Sequence, residues 1–497
     1  MKTLKITIAF CMLFWFSGCK DYLDINQDPS NPQVAEGYVV LPPIFSQMVR
    51  GEAFDTRYAG SFVQYFGNTA AGNQWDRQGY ISGSDAGGEK WRSHYWSIGT
   101  NADIIIKDAT AKNLWDYSGA AKAIRAWSWQ STTDWHGEMI LKQAWEPNRF
   151  VFDYDTQEEV YAEVVRLCND ALADFNKPDY AKTLSRGDLV YKGDTDKWIR
   201  FVYSILARNA HHLSNKSNYN PDKVIEYVDK SLRNNADNFD VPHAGTNTGD
   251  ANFYGPLRNN MGSFRPTNYV VGLMDGTVFN KVVDPRMPLM FTASPDGVFR
   301  GVAPAAGDPN NVAGNTKRIP NLWGALGVVP TTGKFIFDDK AAHSIVTYME
   351  LQFIKAEAAF KKGDKAMAFA AFRNGVGASL DYVKVSATDK ATYLASAALP
   401  ASADLLKLSD IMLQKYIALY GHGSLETWVD MRRYNYDPNV YTGFAIPNPL
   451  FPDNSNKTVQ RVRPRYNSEY VWNRQALDKL GALLPDYHTL PMWFVKP

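Results

Sequence analysis

The pentapeptide Asn73-Gln74-Trp75-Asp76-Arg77, followed by Tyr80, sets flat rings among amide, carboxylate and guanidinium groups inside a glycine-rich stretch. Rings of this kind stack on the apolar C–H face of a sugar, and such polar neighbours supply the directional hydrogen bonds that hydroxyls require. Trp91 follows close by, where helical pattern resumes. A second set, Tyr254, Arg258, Phe264, Tyr269, Phe299, Arg300 and Trp323, lies in a region with little periodicity, and Trp323 stands in PNLWGALG, where proline and glycine favour exposure. Asn73, Gln74, Trp75, Asp76, Arg77, Tyr80 and Trp323 are therefore the expected ligand-binding residues. The competing expectation for the rings is packing on the helices beneath them.

Reactive chemistry is much thinner. In GALGVVPTTGK, Gly327 stands one residue too far from Gly333 for a phosphate loop, and Phe335 follows Lys334 where a Ser or Thr belongs. Asp24, Asn26 and Asp28 open like a calcium loop, but Pro29 replaces the turn glycine and Ala35 the closing glutamate. Asp134, His136 and Glu138 look like metal ligands in print, yet on a helix His136 points about 200° from the other two. His211 and His212 diverge in the same way and read as structural histidines. Cys168, in VYAEVVRLCNDALADF, falls on the apolar side of a helix and reads as an inert thiol. Paired carboxylates of a hydrolase cannot be picked out of 52 acidic residues. The expectation is a protein that is not an enzyme, with no cofactor and no metal.

Several elements must position the ring-bearing loops. MKTLKITIAFCMLFWFSGC has two lysines, a short apolar stretch and small residues before Cys19, the form of a secretory signal (1–18) that ends in a lipidated cysteine. KDYLDINQDPSNPQ reads as part of an extended tether over 19–39. The formal charge of +1 becomes close to neutral once Lys2 and Lys5 leave with the signal, which removes any electrostatic case for nucleic acid. With Cys11 lost and Cys19 acylated, Cys168 is left alone, so no disulfide framework forms.

Helical pattern dominates thereafter. In KWIRFVYSILARNAHHL, apolar residues recur with helical period from Trp198 to Leu213, behind Asp194 and Asp196. Ile124, Trp127, Trp135 and Met139 mark another helical side. In YMELQFIKAEAAFKKGDKAMAFAAFRNGV, Gly363 closes one helix and Asp364 caps the next, the signature of a tight αα-hairpin. Such pairs recur at 92–141, 156–213, 345–380 and 404–435. The expected fold is mainly α: a tetratricopeptide-like helical-pair scaffold, discontinuous over 40–235 and 342–435, with a large irregular loop-rich lobe at 236–341 and 436–497. Strands should be few and short, some of them in the last segment. Trp127, Trp135, Trp198 and Phe353 keep period with aliphatic neighbours and are assigned to the core.

The lipobox with KDYLDINQDPSNP, then GDTDKWIRFVYSILARNAHHLSN, YMELQFIKAEAAFKKGD and QKYIALYGHGSLETWVDMRRYNYDP, resemble in order the SusD/RagB family of surface nutrient-binding lipoproteins, its SusD-like branch above all. The C-terminal YHTLPMWF departs from the Lys-x-Trp-Trp ending of that branch. The resemblance implies an outer-membrane lipoprotein, anchored through Cys19 and facing the cell exterior, with Asp21 in the place of an export signal. It implies a lid on a SusC-like TonB-dependent transporter that captures an oligosaccharide, or less often a peptide, and delivers it without catalysis. The alternative is a helical-repeat adaptor of the transporter complex with no ligand of its own.

Overall fold

The computed structural model describes residues 35–79 and 83–497. The signal segment, Cys19, the first part of the tether and Tyr80 lie outside the described residues.

Ten helices carry the scaffold, and the sequence sets most of their ends. Helix α1 (Gly37–Phe62) is followed by a helical stretch in which Glu89–Arg92 and a wide π segment, Ser93–Thr100, lead into α2 (Asn101–Ala111). Helix α3 (Trp115–His136) stops at Gly137, whose φ of 90° no side-chain-bearing residue adopts readily. Met139 thus lies beyond the helix that the apolar spacing assigns it to, and forms a bridge with Asp155 instead. Helix α4 (Gln157–Phe175) opens on a reciprocal cap between Thr156 and Glu159. Asp194 caps α5 (Thr195–His212), and Asn220 with Pro221 starts α6 (Pro221–Lys230).

After a long irregular excursion the chain returns as α7 (Tyr348–Lys362) and α8 (Lys365–Tyr382). Gly363, at φ 87°, ends the first, and the Asp364 carboxylate accepts the Met367 N–H at 3.0 Å to start the second. Helices α9 (Leu408–Ala418) and α10 (Ser424–Arg433) complete the set. Helix α3 packs on α4, α4 on α5, α5 on α6, α6 on α7 and α7 on α8, so antiparallel layers stack without a break although more than a hundred residues separate α6 from α7. The fold is mainly helical and tetratricopeptide-like. Trp127, Trp135, Trp198 and Phe353 all lie in its core.

Two short antiparallel pairs tie the irregular segments to the scaffold. Strand β1 (Phe66–Asn68) pairs with β3 (Phe264–Pro266), and β2 (Phe239–Val241) with β4 (His343–Val346). The short strands expected after residue 436 do not form among the described residues. Prolines 447, 449, 452 and 464 withhold ladder donors there, and tight turns with arginine side chains bonded to backbone carbonyls hold the segment instead. No described helix is long and apolar enough to cross a membrane.

Candidate functional site

The loop after β1 is built by its own polar residues. Asn73 accepts the Trp75 N–H at 2.9 Å through its side chain, and the Gly79 N–H reaches the Gln74 carbonyl at 2.8 Å, closing a compact turn. Asp76 is buried beneath it and accepts the Asn68 N–H at 2.8 Å; burial pushes its carboxyl up to about 6. Two distant segments meet this loop. The Gly72 N–H donates to the Ala305 carbonyl at 2.7 Å and the Asp308 N–H to Thr69 at 3.0 Å. Gly307, at φ 72°, sits where a Cβ would come within 2.5 Å of the Thr69 carbonyl. From the other side Arg77 donates to the carbonyls of Pro449 at 3.0 Å and Leu450 at 2.8 Å, while its own carbonyl accepts the Phe451 N–H. Residues 68–79, 303–308 and 449–454 therefore converge on one edge.

The rings of that edge point inward. Trp75 is 8% exposed, stacked on Tyr58 with centroids 3.7 Å apart, and Trp323 is 3% exposed and donates its indole N–H to the Tyr254 carbonyl at 2.7 Å. Tyr254, Phe264 and Tyr269 are buried too, Phe299 is partly so, Arg258 bonds to backbone carbonyls and Arg300 pairs with Asp296. Trp91 is buried edge-on to His136. The half-buried Asn73, Gln74 and Arg77, together with the exposed Ala70, Ala71 and Gly72, form the solvent side of the loop.

Titratable residues concentrate deeper, between helices. Asp134, His212 and Glu426 bring three candidate metal-ligand types within 4.8 Å of one another. His136 does diverge from Asp134, bonding the Val462 carbonyl at 3.0 Å, and Glu138 pairs with Arg461. His212 is held between Glu426 at 2.9 Å and Asp134 at 3.3 Å; burial opposes its charge, but the two carboxylates overcome it and raise the imidazole to about 9. Tyr161 donates to Asp134 at 2.5 Å, and the Arg208 guanidinium lies 3.6 Å from Glu426. A cationic imidazole and a guanidinium among the carboxylates make this a charge-balanced ionic cluster. Burial pushes the Cys168 thiol up, as befits an inert sulfur.

One opening escaped the sequence reading. Beside the π segment a cleft of about 550 Å³ is walled by Tyr95, Trp96, Trp145 and Phe152, with Ser468 and Glu469 on its other side. Trp91 and Tyr95 stand four apart and face the core, so the run WRSHYW reads as a buried stripe. Trp96, one position on, turns away from that stripe and is 74% exposed. An aromatic that breaks the period of its own helix was the available signal.

The sequence matches a SusD-like family model, described as starch-binding associating with outer membrane, over residues 30–463. No curated protein matches the chain at a significant level. Among solved structures, a SusD/RagB family protein from Bacteroides thetaiotaomicron superposes with a TM-score of 0.69 at 24% identity, over 93% of this chain and 99% of that one. A chitin-binding SusD homologue from Flavobacterium johnsoniae gives a TM-score of 0.72 at 19% identity, over 92% of this chain and 98% of that one. At these identities the likeness is one of fold. The family match extends across the first helix, all the scaffold layers and the three segments that meet at the loop edge, and the chain therefore belongs to the SusD-like branch of the SusD/RagB family.

Proposed function

We propose that the protein is a cell-surface lipoprotein that binds an oligosaccharide and delivers it to a SusC-like TonB-dependent transporter in the outer membrane. Cys19 carries the lipid, the helical layers meet the transporter, and the irregular segments 236–341 and 436–497 lie on the ligand side. The protein captures and hands over; it performs no catalysis. The observation that carries this reading is the convergence of residues 68–79, 303–308 and 449–454 on one edge of the scaffold. Family membership and the chitin-binding homologue of like fold support it. Asn73, Gln74 and Arg77 are the contact residues in this reading, with Trp75, Asp76 and Trp323 as the floor that shapes them and Tyr80 following in the same loop.

A second reading, an adaptor of the transporter complex without a ligand of its own, draws on the burial of Trp75 and Trp323, which turns the expected platforms inward. Calorimetry on protein lacking residues 1–19 separates the two. Capture requires heat of binding with at least one member of a panel of chito-, malto-, cello- and xylo-oligosaccharides and short peptides. The variant Gln74→Ala is expected to lose about 1 kcal/mol or more of that affinity while melting like wild type, because Gln74 holds the turn through its backbone carbonyl. Copurification with a transporter and silence across the whole panel would leave the adaptor.

A further inference from the structure

We propose that the cleft beside the π segment is a saccharide-binding site, distinct from the loop edge, that takes two or three pyranose units of a neutral oligosaccharide. It shares its ligand class with the function proposed above and none of its residues. Four observations meet there. The two π segments among the described residues, Ser93–Thr100 and Tyr466–Tyr470, both line the cleft, the first contributing Tyr95 and Trp96 and the second Ser468 and Glu469. Such widened turns cost helix stability and are frequent at functional sites. Trp145 holds φ at 59°, a left-handed conformation that costs a side-chain-bearing residue free energy and marks functional positions more often than others. Gly99 has no side chain where the Trp145 ring lies, because a Cβ there would stand 2.0 Å from it. Finally, the Ser468 hydroxyl has no hydrogen-bond partner among the described residues.

These features place Trp145 and leave Trp96 free. The Trp145 indole N–H donates to the Tyr95 carbonyl at 2.8 Å, and Arg125 lies over the ring at 4.4 Å, so the indole is fixed as a wall. Tyr95 is fixed in turn, its hydroxyl donating to the Ile140 carbonyl at 3.0 Å and accepting the Ile140 N–H at 2.8 Å. Of the four rings that wall the cleft, Trp96 is the one that is exposed.

The chemistry of the lining selects the occupant. A purely apolar partner would leave the Ser468 hydroxyl without a partner, at a desolvation cost, whereas Glu469, Arg92 and Arg465 already pair with Tyr154 and Asn473, with Glu89 and with Asp85. A pyranose offers both what the rings need, a flat C–H face, and what the polar groups need, a rim of hydroxyls. Glu469 is already oriented, accepting from the Tyr154 hydroxyl at 2.7 Å and from Asn473 at 3.1 Å. The cleft volume lies inside the ~300–1,000 Å³ range of small-molecule sites.

The test uses protein lacking residues 1–19 with chitotetraose, cellotetraose, maltotetraose, xylotetraose and a tetra-alanine peptide. Trp96→Ala, at an exposed position with little cost to folding, is expected to weaken at least one sugar by about five-fold or more. In hydroxyl-radical footprinting that sugar should protect the wild-type peptide containing Trp96. If the sugars bind but Trp96→Ala binds them all as wild type does, with no protection at Trp96, the cleft proposal falls and glycan capture stands. If the peptide alone binds and depends on Trp96, the ligand class is overturned. If no sugar binds wild type, the cleft proposal and capture of neutral glycans fall together.

Discussion

His211 and His212 are neighbours in the chain whose surroundings push their imidazoles in opposite directions. Burial drives His211 down to about 4, with Arg433 offsetting the pull of Glu357, whereas Asp134 and Glu426 lift His212 against burial to about 9. A histidine raised above its ordinary 6.5 stabilises the fold fully below that pH, and the contribution is lost as pH rises through about 9. The stability gap between wild type and His212→Gln, measured by urea unfolding, should therefore narrow by on the order of 3 kcal/mol between about pH 6 and about pH 10. A gap that stays constant across that range would show the imidazole to be uncharged. Sequence spacing separated the two histidines correctly, because two adjacent helical positions must face different ways. It had no means of finding Asp134 and Glu426 around His212, since those partners come from other helices. Trp75 makes the same point for the site: a glycine-rich setting suggested exposure, but Tyr58, supplied by the preceding helix, covers its ring.

Helix ends were the most legible elements, because caps are local chemistry. Asp194 and Asp364, both picked out in the sequence, each accept a backbone N–H three positions on, and Thr156 and Asn220, which the sequence reading passed over, do the same. The hairpin at α7 and α8 turns on Gly363, whose φ of 87° leaves open space around a would-be Cβ. Backbone strain is thus the whole cost of a side chain there. Gly363→Ala should lower stability by about 1 kcal/mol and Gly363→Asn by less, read as shifts in the denaturant midpoint with an unchanged slope. Equal losses for both would mean that steric crowding, rather than left-handed backbone, sets the requirement. Less legible were the π segment and the ends of α3. At the end of α3, Met139 continues the apolar spacing past the stop at Gly137, and in the π segment Trp96 is the residue that breaks the pattern.

For the molecule as a whole, the pairs at 92–141, 156–213 and 345–380 were readable, whereas in the segment 404–435 α9 packs on α7 and α8 and α10 on α1, and the joining of α6 to α7 across the irregular excursion, a contact between distant parts of the chain, was not readable. Attachment to the membrane through Cys19 is part of the proposed function and can be tested directly. Cys19→Ala is expected to move the protein from the membrane fraction to the soluble one, followed by immunoblot after fractionation. Retention in the membrane would assign anchoring to something other than acylation.

The ionic cluster at the centre of the scaffold bears on how such a chain acquires its shape. Arg208 finds Glu350 142 residues later, at 2.5 and 2.6 Å, and His212 finds Glu426 214 residues later. Arg433 closes the far end on Glu357 at 2.7 Å. A polypeptide emerging amino end first holds Arg208 without Glu350, and His212 with Asp134 but without Glu426, until the second half arrives, and burying Arg208 early would strand a cation in an apolar interior. Early burial of the leading half therefore carries a penalty that the arrival of Glu350 and Glu426 removes.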